Sequence, residues 1–156
     1  MIRYLYTFFV ALFLAAFVGI GIAVFYPEPK APEAPMIYGK EEPTAQDQAA
    51  EEAFNVQQKA YEQKLWVYNR NVSLIVMGVA VLILVISLTL TSQLGVLADG
   101  ILLGGIFTLL YGIGRGMFTD DNRYRFLVAA IGLAITLGLG YMKFTRRQLK
   151  QQAEHA

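Results

Sequence analysis

Charged side chains are missing from four long stretches of this chain, and that absence constrains its fold more than any motif does. Tyr4–Tyr26 runs for 23 residues without one, Asn71–Ala98 for 28, Gly100–Gly114 for 15 and Phe126–Met142 for 17. A helix needs about 20 apolar residues to cross the hydrocarbon of a bilayer, and these runs take 83 of the 156 residues. Only 16% of the chain is charged, against about a quarter in an ordinary soluble domain. A soluble core of this size has no room for four such segments. The pattern predicts an all-α integral membrane protein, with four transmembrane helices in a bundle and the lipid bilayer as its first partner.

The segments between the runs set the organisation. Residues 1–26 read as an N-terminal transmembrane helix of the signal-anchor kind, because the run passes twenty residues and ends in Phe25-Tyr26-Pro27 instead of a small-residue cleavage site. All five prolines fall in 27–43, which reads as an extended, semi-rigid linker. Thr44 with Asp47 three residues on forms a capping-box start, and no glycine or proline interrupts the chain from there to Arg70. Phe54, Tyr61, Leu65, Tyr68, Val72 and Ile75, with Gln58 as a polar interruption, fall on three- and four-residue steps. Residues 44–70 are therefore expected to form an extramembrane amphipathic helix that continues into the second span as an arm roughly 40 Å long at about 1.5 Å per residue. Residues 71–144 hold the remaining three spans, joined by Ser92–Gly95 and by Phe118–Arg125, and 145–156 form a basic, polar tail.

Four spans place both termini on one side. Arg3, Lys143, Arg146, Arg147 and Lys150 favour that side as cytoplasmic, leaving the arm and linker, with eight acids and five cations, outside. The expected location is a bacterial-type plasma (inner) membrane. A net charge of +1 indicates no nucleic-acid partner. Without cysteine, and with His155 as the single histidine, no metal or cofactor is expected.

Lipid gives no hydrophobic reward for bringing helices together, so small residues that let backbones approach must supply the contact. Gly100, Gly104, Thr108, Gly112 and Gly116 recur every four residues in the third span. The first span carries a comparable row, Ala11-Ala15-Gly19-Ala23, and the fourth carries two, Ala130-Ala134-Gly138 and Gly132-Thr136-Gly140, whereas the second has only scattered small residues. Spans one, three and four are expected to pack tightly, with the second more exposed to lipid. Leucine at Gly104 or Gly112 should then destabilise the fold well beyond leucine at Gly105.

Candidate chemistry is sparse. Asp99 is the one acid expected within a span, where it could bind an ion or carry a proton, or simply favour a helix start. Arg115, Arg123, Arg125, Arg146 and Arg147 could contact lipid headgroups, or snorkel to the interface. No zinc-protease, nucleophile-elbow or phosphate-loop pattern is present, so an enzyme is not expected. The expected function is structural or accessory, binding a second copy or a partner membrane protein through the 44–70 helix and the glycine-rich third span. The alternative is a small ion or solute channel formed by oligomerisation, with Asp99 in its pathway.

Overall fold

The computed structural model describes residues 1–35 and 44–154, with the helical backbone alone given for 91–94 and for most of the chain beyond Met142. Every regular element among them is helical. Helix α1 covers Ile2–Phe25, α2 Ala45–Leu94, α3 Val96–Met117 and α4 Asn122–Glu154. Each has a stretch long and apolar enough to cross a membrane, as a multi-pass membrane protein requires.

Helix α2 is continuous over 50 residues. Its start is a capping box: the Asp47 amide donates to the Thr44 hydroxyl at 3.3 Å, and the Thr44 amide donates to the Asp47 carboxylate at 3.0 Å. Two of the free amide donors at the helix start are thereby satisfied. At the far end the expected four-residue turn shrinks to Gly95 alone, since α2 runs on to Leu94. Gly95 has φ +48°, the one positive value among the described residues, and a side chain there would be strained. The second turn is also shorter than expected. Asp121 ends it by accepting the Arg123 amide at 2.8 Å, so α4 begins at Asn122. Beyond the apolar part, α4 continues to Glu154 where a polar tail was expected. Lys, Arg, Gln, Leu and Ala are strong helix formers and no breaker intervenes.

Helix α3 is the hub. Its contact with α2 is the most extensive in the fold, that with α1 is next and that with α4 is smaller. α1 and α2 meet only slightly, at the end where Ile22 and Tyr26 pack on Tyr68 and its neighbours. Helices α1 and α3 run parallel, so that Val10 stands against Gly100 and Leu14 against Gly104. Helices α2 and α4 run antiparallel to α3, placing Val76 against Gly112, Leu84 against Gly105 and Val128 against Gly116.

This arrangement corrects the expectation for the second span. In its apolar stretch 44% of residues are buried, against 11% for α4 and 6% for α1. The large side chains Val76, Met77 and Leu84 of α2 fill the space that the small residues of α3 leave open. Small residues mark the holes in a packed interface, and the knobs that fill them carry no such mark. Gly105 is corrected for the same reason. A methyl group there would lie 2.7 Å from Leu84 Cδ2, as close as one at Gly104 lies to Leu14 Cδ2, 2.8 Å. The stripe on α2 also shifts: Ile75 is exposed, and the buried face continues from Val72 to Val76.

Candidate functional site

The residues singled out from the sequence separate into three places. Gly100, Gly104, Thr108, Gly112 and Gly116 are all buried on α3. Gly100 and Gly104 face α1, Gly112 faces α2, and Gly116 lies between Ser73 and Val128. The small-residue face is thus occupied within the chain. Ser73, which the spacing rules do not mark, uses this closeness: its hydroxyl donates to the Gly112 carbonyl at 2.7 Å.

Asp99 lies in the first turn of α3 and is exposed. It borders a cleft with Met1, Arg3, Tyr4 and Thr7 from the start of α1. It is therefore at the rim of the bundle, beside a cation, and not inside it.

Arg115, Arg123 and Arg125 have different partners. Arg125 Nε donates to the Thr119 carbonyl at 2.7 Å and closes the α3–α4 turn, while Arg123 is exposed. For Arg146 and Arg147 the expectation of lipid contact lies outside the described side chains. Arg115 instead turns toward α1 and α2. Its guanidinium lies 5.3 Å from the Tyr68 ring centre, 3.5 Å from the Tyr68 hydroxyl and 3.7 Å from the Glu28 carboxylate. Cation–π and ionic contacts together hold it there.

Around Arg115 the structure assembles a polar junction that sequence spacing did not reveal. The Tyr26 and Tyr68 rings stack with centres 5.3 Å apart and planes 4° from parallel. The Tyr68 hydroxyl donates to the Tyr26 carbonyl at 3.1 Å, and the Asn71 amide donates to the Tyr26 hydroxyl at 3.0 Å. Arg115 Nε is buried there without a hydrogen-bond partner. The signal that could have found this junction is Arg115 itself, since an arginine at the end of an apolar helix calls for an anionic partner. Glu28, just beyond the end of the first span, is such an acid.

Among the described residues no three His, Cys, Asp or Glu side chains converge as metal ligands. No family model matches the chain, and neither a curated protein nor a solved structure matches it.

Proposed function

We propose that this chain is a structural or accessory protein of a bacterial-type plasma membrane. Its four apolar helices cross the bilayer, its termini face the cytoplasm, and the 44–70 part of α2 stands outside as an arm that binds a second copy or a partner membrane protein. It performs no catalysis and binds no nucleic acid. Exposed apolar side chains along α1 and α4, such as Phe13, Phe17, Leu133 and Leu137, would meet acyl chains.

The observation that carries the choice of an accessory role over a channel is where the hydroxyl groups go. Ser73 and Ser87 bond to carbonyls of α3, and Thr108 and Thr136 bond to carbonyls one turn back in their own helices. A pathway for ions needs several polar groups facing a common space, and these hydroxyls are engaged with backbone. The small-residue face of α3 is also filled by α1 and α2, which leaves the arm as the surface for assembly.

Purification in mild detergent followed by native mass measurement tests the reading. A stoichiometric second protein, or a dimer that dissociates when residues 45–65 are removed, is expected. A closed ring of copies that conducts ions in liposomes would overturn it.

A further inference from the structure

The exposed part of α2 has a stripe that is already partly covered. Phe54, Gln58, Tyr61 and Leu65 are half-buried, while every residue between them is exposed. The linker carries a second pattern. Pro29, Pro32 and Pro35 are half-buried, and the residues between them are exposed. A burial period of three is that of a polyproline-II helix, which has three residues per turn. A burial pattern of four, three and four is that of one face of an α-helix.

The two segments come together at one end. Pro27 and Pro29 line a single groove with Ala60, Gln63, Lys64, Val67 and Tyr68 of α2, along the flank of the stripe. The contact between Glu28 and Arg115 fixes where the proline segment starts along α2. Their lengths also agree. Six residues from Pro29 to Pro35 extend about 19 Å at about 3.1 Å each, and the eleven steps from Leu65 back to Phe54 rise about 17 Å at about 1.5 Å each. Lys30 and Glu33, between the prolines, are exposed and keep their charges in water.

We infer that residues 29–35 form a polyproline-II strap seated antiparallel on the Phe54–Leu65 stripe of the arm, with Pro29, Pro32 and Pro35 as its inward ridge. The inference rests on reading the arm as extramembrane, and it adds a regulatory feature: the apolar stripe is closed in cis, so a partner that uses it must first displace the strap. Proline suits this task because its backbone is already extended and loses little freedom on docking.

The chain has no cysteine, so pairs of introduced cysteines report cleanly on proximity. Oxidation in native membranes, with the linked peptides identified by mass spectrometry, would compare three double variants: Pro29→Cys with Lys64→Cys, Pro32→Cys with Gln58→Cys, and Glu33→Cys with Gln58→Cys. The first two are expected to link at several times the yield of the third. Equal yields for Pro32→Cys and Glu33→Cys, or no linkage in any pair, would overturn the strap. Linkage is read within one chain and has the same meaning whether or not the arm has a partner. Failure of the assembly reading would appear instead in the mass measurement.

Discussion

The Ser73 hydroxyl lies 2.7 Å from the Gly112 carbonyl, and Gly116, where a Cβ would lie 2.8 Å from that hydroxyl, is what leaves it room. Ser87 makes the same bond to Ala98 at 2.7 Å, with the donors fourteen residues apart on α2 and the acceptors fourteen apart on α3. Fourteen residues are two heptads, so both serines return to nearly the same face of α2. The antiparallel pair is pinned near both ends of its shared length.

Ser73→Ala and Ser87→Ala are each expected to lower stability by about 0.5–1.5 kcal/mol, the range for hydrogen bonds between helices in membranes. The sites are far apart along the helix axis, so the double variant should lose the sum. Reversible unfolding in mixed detergent micelles measures this; a double variant no weaker than either single one would show that the two bonds do not act independently.

Glycine replacements should divide by location. Gly105→Leu and Gly112→Leu are expected to cost about 1–3 kcal/mol or more through overpacking, because added atoms meet Leu84 and Val76. Gly114→Leu should be near neutral, since nothing lies within 4 Å of a methyl group there. Melting temperatures in detergent that were alike for all three would contradict the packing described.

Gly95→Ala tests the single-residue connection. At φ +48° a side chain costs about 1–2 kcal/mol, and with only one residue in the turn there is no neighbour to absorb the change. The same unfolding measurement applies, with Gly78→Ala in the open middle of α2 as the control.

Thr44→Ala removes the capping box and should cost about 1 kcal/mol at the first turn of α2. The effect is local. Amide exchange over residues 45–50 should quicken about fivefold while exchange in α3 stays unchanged; a uniform change would point to a global role for the cap.

Tyr68→Phe keeps the stack on Tyr26 and loses the bond to its carbonyl, so a loss of about 1 kcal/mol is expected. Tyr68→Leu loses the stack and the ring under Arg115 as well and should cost about 1 kcal/mol more. If leucine is tolerated as well as phenylalanine, the aromatic junction contributes no more than apolar bulk.

The four helices were legible because their signal is local: runs without charge, broken by Pro27, Gly95 and Asp120-Asp121. The unbroken α2 was legible for the same reason, as no glycine or proline stands between Thr44 and Arg70. The row of small residues on α3 could be seen as a row, but what fills it could not. Val76 and Leu84 look like any lipid-facing residues until the antiparallel register sets them against Gly112 and Gly105. The Arg115 junction was hidden by distance along the chain, since Glu28, Tyr68 and Arg115 come from three separate segments. Nor does local spacing decide which way Asp99 faces, because the start of α1 forms the other wall of its cleft.

That α3 joins the other helices has a consequence for the order of events during synthesis. When α1 and α2 have left the ribosome, they have little to hold each other beyond the Tyr26–Tyr68 end. Their shared binding surface arrives only with the third helix. A nascent chain halted while α3 is still in the ribosome should therefore stay open to protease, and one halted after α3 has emerged should close.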